Sequence, residues 1–327
     1  NTPERAAVPA IDFHAHLGRW LNPAGGWFEP DVGRLLAVMD STNVASMVNL
    51  DGRWGQELED NLDRYDRAHP GRFFTFCHVD WSLLDQPNGP DLLVKSLQRS
   101  VAAGARGLKI WKDLGLWVRA RGHQVLPDDP LVAPLWEAAG ALGVPVLAHV
   151  ADPAAFFLPV DRRNERLEEL LRFPSGSRQR GGLPEFHRLL SSLENVVGSN
   201  PRTQVVAAHG FHGEDLGHVG AVMREHPNFH IDIGWAHLQL GRQPRAASAL
   251  ISDYPDRVLL GSDVYPVRAA ALRTYFRLLE TADENFTYTD EPVPGSGRWA
   301  IYGLALGPEE LRQVYQANAS RLLARPT

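Results

Sequence analysis

The sequence predicts a (β/α)8 barrel of the TIM type, and three observations carry that prediction. Eight short apolar segments rich in β-branched residues recur along the 327-residue chain, with helically spaced stretches between them. The segments are continuous apolar runs, as expected of strands buried on both faces of a parallel sheet. Eight is also the number that closes such a barrel. The competing doubly wound open sheet places a Gly-rich turn after its first strand. Here that strand runs into HAHLGRW with no GxGxxG.

The elements follow in order. PAIDFHAHL (9–17) is the first strand, and DVGRLLAVMDS (31–41) a helix that Asp31 is placed to cap behind Pro30. VASMVNLDGRW (44–54) precedes the helix QELEDNLDRYDRAHP (56–70), which stops at His-Pro. RFFTFCHVDW (72–81) leads to PDLLVKSLQRSVAAG (90–104), whose last glycine suits a left-handed C-terminal turn. ARGLKIWKD (105–113), DPLVAPLWEAAGALG (129–143) and GVPVLAHVAD (143–152) supply strand four, a helix and strand five. TQVVAAHGFHG (203–213), NFHIDIGWAH (228–237) and RVLLGSDVYP (257–266) are the last three strands, interleaved with helices at 214–227 and 244–255.

One connection is out of scale. Residues 153–202 form a long insertion after strand five, with helical patterns on either side of the exposed loop 174–182, and this is a candidate lid. Residues 281–299 read as an irregular excursion, and 307–323 as a C-terminal helix covering the barrel. On this reading residues 1–327 are one distorted barrel domain rather than two domains.

Composition narrows the function. With 33 Lys plus Arg against 39 Asp plus Glu, the net charge is −6, which argues against a nucleic-acid or membrane-surface partner. No apolar run approaches the roughly 20 residues of a membrane span. One cysteine, Cys77, excludes an internal disulfide framework and fits a reducing, cytoplasmic setting.

Barrel active sites sit at the C-terminal ends of the strands. In chain order that position holds His14 and His16, Asp51 with Arg53, His78 with Asp80, Lys109, His149, His209, Asp232 with Trp235, and Asp263. In a strand, residues i and i+2 point to one side, so both imidazoles of His-Ala-His can face one mouth. Taken alone that motif is weak, since 13 histidines give about half a chance match in this length. Its company is stronger: His149 follows VPVL, His209 follows VVAA and Asp263 follows VLLGS. Buried imidazoles and a carboxylate are costly unless paired or bound to metal. The donor types suit Zn²⁺ or a similar divalent ion with an open position. A non-catalytic binding barrel would leave this set without a purpose. Arg53, Lys112 and Arg19 are candidate anion-binding groups, with Trp20, Trp54, Trp111, Phe156 and Phe157 as a candidate apolar wall.

The combination DFHAH, GLKIW, LAHV, AAHG and GSDVYP resembles the amidohydrolase superfamily over nearly the whole chain. It is most similar to the amidohydrolase-related branch that contains metal-dependent decarboxylases of small acids and lactone hydrolases. The resemblance implies metal ligation by His14, His16, His149 and Asp263, with His209 beside the metal to orient or polarise water or substrate. Lys109 has three readings: a carboxylated bridge in a binuclear site with His209 on the second ion, a substrate-binding group, or a structural lysine. One Zn²⁺ is the favoured occupant, with Mn²⁺ or a second ion as alternatives, and barrels of this branch imply a homodimer.

Two reactions follow from the resemblance. In a hydrolase, metal-activated water attacks an ester, lactone or amide of a small, anionic substrate, Asp263 moves the proton and His209 steadies the oxyanion. Arg53, Lys109 and Trp111 are the substrate-binding candidates. In a nonoxidative metal-dependent decarboxylase of a small aromatic or unsaturated carboxylic acid, Asp263 instead delivers a proton to carbon. Decarboxylases of the branch often carry Glu where this chain has His14, which favours hydrolysis.

Overall fold

In the computed structural model, which describes residues 2–179, 181–289, 291–292 and 294–324, all eight expected strands form. They are β1 (Ala10–Ala15), β2 (Val44–Asn49), β3 (Phe73–Cys77), β4 (Gly107–Ile110), β5 (Val146–Ala148), β6 (Val205–Ala207), β7 (Phe229–Asp232) and β8 (Val258–Leu259). Each pairs in parallel with the next. The Phe13 N–H donates to the Leu260 carbonyl and the Asp263 N–H to the His14 carbonyl, so β1 and the chain past β8 close the ring. Closure is incomplete lower down. There the Leu260 N–H donates to the Val314 carbonyl of the C-terminal helical segment rather than to β1. The fold is a TIM-type barrel, distorted at that seam.

Two apolar clusters divide the interior. The inner one joins Phe13, Leu50, Phe76, Leu147, Val206 and Leu259 to Ala319, Leu322 and Leu323, so the C-terminal helix Asn318–Leu323 stoppers the barrel. The outer one lies between strands and helices, and runs from Ala6 to Tyr315. At their contact the Phe76 ring leaves room only for glycine, since a Cβ on Gly107 would lie 2.4 Å from it.

A phase change in β1 positions the site. Ile11 and Phe13 belong to the inner cluster, so strict alternation would bring Ala15 and Leu17 inward as well. Both instead join the outer cluster, and the β1–β2 register shifts between Asp12 and Ala15. This bulge turns His14 and His16 into the barrel mouth.

The helices match the sequence reading in place, with local differences. Asp31 caps Val32–Thr42 by accepting from the Arg34 N–H, and Gly104 ends Gly89–Ala103 with φ 133°. The helix expected over 56–70 is helical over Gly55–Asn61 and then widens into a π-type turn, Leu62–Arg67. A two-residue hairpin pairs Arg119–Ala120 with His123–Gln124 and was not foreseen. Its turn uses Arg121 and Gly122, both at positive φ, so only half of the usual Asn-Gly signal is present. The insertion carries helices Leu167–Arg172 and Phe186–Ser199, and 281–299 is irregular apart from a Phe286–Ile301 bridge. Arg180 of the former, and Asp290 and Val293 of the latter, lie outside the described residues. No helix among the described residues is long and apolar enough to cross a membrane.

Candidate metal centre

The mouth gathers polar side chains at strand ends, and the backbone is strained where it does so. Arg53, His209, Trp235 and Asp263, which follow β2, β6, β7 and β8, have φ between 52° and 58°. Each such residue costs on the order of 1 kcal/mol or more, which the surrounding fold must hold in place. His209 begins a run of four positive-φ residues, His209 to His212, in which only Gly210 escapes the Cβ penalty.

His14, His16 and Asp263 offer ligand atoms that lie within 4.8 Å of one another. Asp263 Oδ1 is 3.7 Å from His14 Nε2 and 3.3 Å from His16 Nε2. The opposite ring nitrogens are taken. His14 Nδ1 donates to Asp232 Oδ2 at 3.0 Å, and His16 Nδ1 donates to Asp51 Oδ1 at 2.6 Å. A carboxylate on Nδ1 fixes the tautomer that leaves the Nε2 lone pair for a metal. Asp263 Oδ1 is buried and has no hydrogen-bond partner among the described residues. An orphaned carboxylate oxygen facing two imidazole nitrogens is what a divalent cation site looks like, and these residues fit one. A second group, His14, His209 and Asp232, also meets the distance test. Its carboxylate is already spent, however: Asp232 Oδ2 accepts from His14, and Oδ1 accepts from the Gly234 N–H at 2.8 Å.

His149 and His209 form a neighbouring pair rather than joining the first group. His209 Nδ1 donates to the Gly234 carbonyl at 2.7 Å, which leaves Nε2 to accept from His149 Nδ1 at 3.3 Å. Burial holds both imidazoles well below their ordinary pKa, so both are neutral. Burial also raises Asp263 to about 6, against the pull of His16 and Lys109. It lowers Lys109 to about 8, and the Lys109 Nζ is buried without a partner among the described residues. Asp51 is the exception: it is equally buried, but the adjoining His16 holds it below the usual carboxylate value.

A cavity of about 300 Å³ opens over this centre, with His149, His209, Asp263 and Lys112 in its wall. The family-level pattern described as Amidohydrolase matches residues 11–325. The chain belongs to the amidohydrolase family. No curated protein matches it. Solved structures do, at low identity. A dihydroxybenzoic acid decarboxylase from Polaromonas sp. JS666, with bound manganese and 2-nitroresorcinol, is 15% identical with TM-score 0.57, covering 97% of each chain. A zinc-bound amidohydrolase from Burkholderia multivorans is 15% identical with TM-score 0.55, covering 97% of this chain and 99% of that one. A Pseudomonas putida protein assigned as a 2-pyrone-4,6-dicarboxylic acid hydrolase is 16% identical with TM-score 0.55, covering 97% of each chain. At this identity they share the fold.

Other candidate residues of the chain lie around the mouth in different roles. Arg53 is stacked between Trp20 and Trp54, at 4.7 and 4.1 Å, and lines a separate open groove. Trp111 packs edge-on against Trp20 and tilts onto Trp117. Arg19 is held by Glu57 and Asp60. Lys112 pairs with Asp152, which also receives Arg178 from the insertion. Phe156 lines the cavity, while Phe157 packs on Phe186. His78 reaches the Leu50 carbonyl, and Asp80 caps the turn beginning at Trp81. The sequence reading passed over Arg166, Glu169, Glu214 and Gln239, which also line the cavity. They sit on loops and helices whose approach to the mouth has no local signature. Asp51 and Asp232 are visible at strand ends, and the structure pairs them with His16 and His14.

Proposed function

We propose that this protein is a metal-dependent hydrolase of a small ester, lactone or amide. The observation that carries the reading is the orphaned Asp263 Oδ1 set against the Nε2 atoms of His14 and His16. A single Zn²⁺ suits these ligands, with Mn²⁺ as the alternative, and when bound it would acidify water and polarise a carbonyl. His14, His16 and Asp263 would hold it, with His149 in the adjoining pair with His209. Asp263 Oδ1, aimed at the centre, is placed to take a proton from water and return it to the leaving group. Asp51 and Asp232 keep both imidazoles oriented. His209 stands beside the centre with its Nδ1–H spent on the Gly234 carbonyl, so its neutral ring offers Nε2 as an acceptor that can orient water, not as a donor to the developing negative charge. Lys109, buried among Asp51, Asp232 and Asp263, balances their charge. The insertion at 153–202 contributes Phe156, Arg166 and Glu169 to the cavity wall and so helps set the substrate.

Decarboxylation of a small carboxylic acid is the second reading. It is favoured by Arg166, a buried cation in the cavity wall whose Nε has no partner among the described residues. The two separate cleanly. In ¹⁸O-water, zinc- or manganese-loaded protein should place label in the acid product from an ester or lactone panel and release no CO₂. Turnover that releases CO₂ without label, or purified protein lacking stoichiometric divalent metal after loading, would overturn the hydrolase reading.

A further inference from the structure

A second cavity of about 290 Å³ lies on the other side of Trp235 from the first. The two share Trp235, Asp263, Tyr265 and Ser296 in their walls, so a residue of the metal centre borders both. Each is at the lower edge of the roughly 300–1,000 Å³ that ligand pockets span, and jointly they fall within it. Trp235 is held at the divide: its indole N–H donates to the Asp263 carbonyl at 2.9 Å, and its backbone N–H to the Tyr275 hydroxyl.

The two sides differ in chemistry. The first is lined by charged and amide side chains, including Lys112, Asp152, Arg166, Glu214 and Gln239. The second has a more aromatic and aliphatic wall of Val264, Ala271, Tyr275, Tyr288 and Trp235, with Arg268, Thr274, Thr289 and Glu291 as its polar lining. A buried imidazole also lines it. His237 is 6% exposed, lies 4.6 Å from the Tyr275 ring, and its Nδ1 has no partner among the described residues. The Tyr288 backbone engages the ring's other nitrogen, which leaves Nδ1 a lone pair seeking a donor.

We propose that the cavity behind Trp235 is a substrate subsite for an apolar arm that carries a hydrogen-bond donor, the substrate straddling Asp263 with its polar arm in the first cavity. This rests on the hydrolase reading for what happens at Asp263, but the subsite itself is defined by shape and by His237. The aromatic part of the wall favours a flat or compact hydrocarbon, and a hydroxyl or N–H at its end satisfies the orphaned imidazole.

Binding rather than turnover tests it, so its failure is distinct from failure of the hydrolase reading. 4-Ethylphenol and ethylbenzene are titrated calorimetrically into the full chain, both zinc-loaded and chelator-treated. 4-Ethylphenol should bind in both states, and ethylbenzene at least tenfold more weakly. Ala271→Trp, which fills the cavity from a partly exposed helix position, should weaken 4-ethylphenol at least tenfold, and Ala270→Trp serves if that variant does not fold. His237→Phe should erase most of the preference for the phenol while leaving ethylbenzene unchanged. No binding of 4-ethylphenol, binding that survives both tryptophan variants, or a phenol preference untouched by His237→Phe would overturn the proposal.

Discussion

The two ends of this barrel are made by the same strands and obey opposite rules. At the N-terminal end the interior is dry and apolar, closed by Phe13, Phe76, Leu147 and the Leu322–Leu323 stopper. At the C-terminal end it is filled with His14 and His16 past a bulge in β1, Asp263 at a positive φ, and Lys109 and Asp232 within β4 and β7. The change takes place within a few residues of β1. The lesson is that the stable end tolerates polar mutation poorly because of packing, whereas the strained end is held in place by the stable one. Removing a group should therefore have opposite consequences at the two ends.

The largest contrast is between Asp263 and Phe76. Asp263→Asn should lower turnover about 10³-fold or more while leaving the melting temperature of chelator-treated protein within a few degrees, because the lost charge was itself poorly solvated. Turnover that survives would break the assignment of Asp263. Phe76→Ala should do the reverse. Urea denaturation should show a loss of about 3–5 kcal/mol, with the metal stoichiometry of the remaining folded protein unchanged. A Phe76→Ala protein of wild-type stability would remove the distinction between the ends.

How much of this was legible beforehand follows the same divide. The strand periods and the HxH, His, His and Asp landmarks are local, and they placed β1 to β8 and the mouth residues in order. The π-type widening at Leu62–Arg67 was not local, because Asn61 is drawn inward to the Asn49 side chain and the Asp51 carbonyl. The phase change in β1 depends on its register against β2, which no strand carries in itself. Arg53 shows the limit for sites: a strand-end arginine suggested anion binding, but Trp20 and Trp54, each close in sequence to a strand end, enclose it. Which side chains complete a cavity depends on how loops return to the mouth, as Arg166, Glu214 and Gln239 do.

Buried carboxylates sharpen the comparison through pH. Asp66 is packed away from the mouth, where the Thr75 N–H and hydroxyl are its donors, and burial raises it to about 6. Both donors are neutral and cannot repay the lost hydration of the charge. The folded state thus binds a proton that the unfolded chain, at about 3.8, does not. The sign follows: this group's contribution to stability falls as pH rises from about 4 to about 6, by no more than about 3 kcal/mol. Urea unfolding at pH 4.5 and pH 7 should show that slope in the wild type and its loss in Asp66→Asn. An equal slope in both would mean Asp66 is ionised throughout.

Asp51 is the counterpart at the mouth, as buried as any carboxylate of the frame yet held low. Its Oδ1 accepts from His16 Nδ1 and the Trp20 indole, each at 2.6 Å, and its Oδ2 accepts from the Gly18 N–H at 2.8 Å. Here a partner that can carry charge repays the burial, and the same contact aims His16 Nε2 at Asp263. Asp51→Asn keeps the shape but removes the charge that makes His16 a stronger donor to a cation. Zinc affinity, measured by competition with a chromophoric chelator, should fall about 10–100-fold, with the apo-protein still folded. Unchanged affinity would mean that His16 is oriented by packing alone, and that the polar end owes less to its paired charges than its geometry suggests.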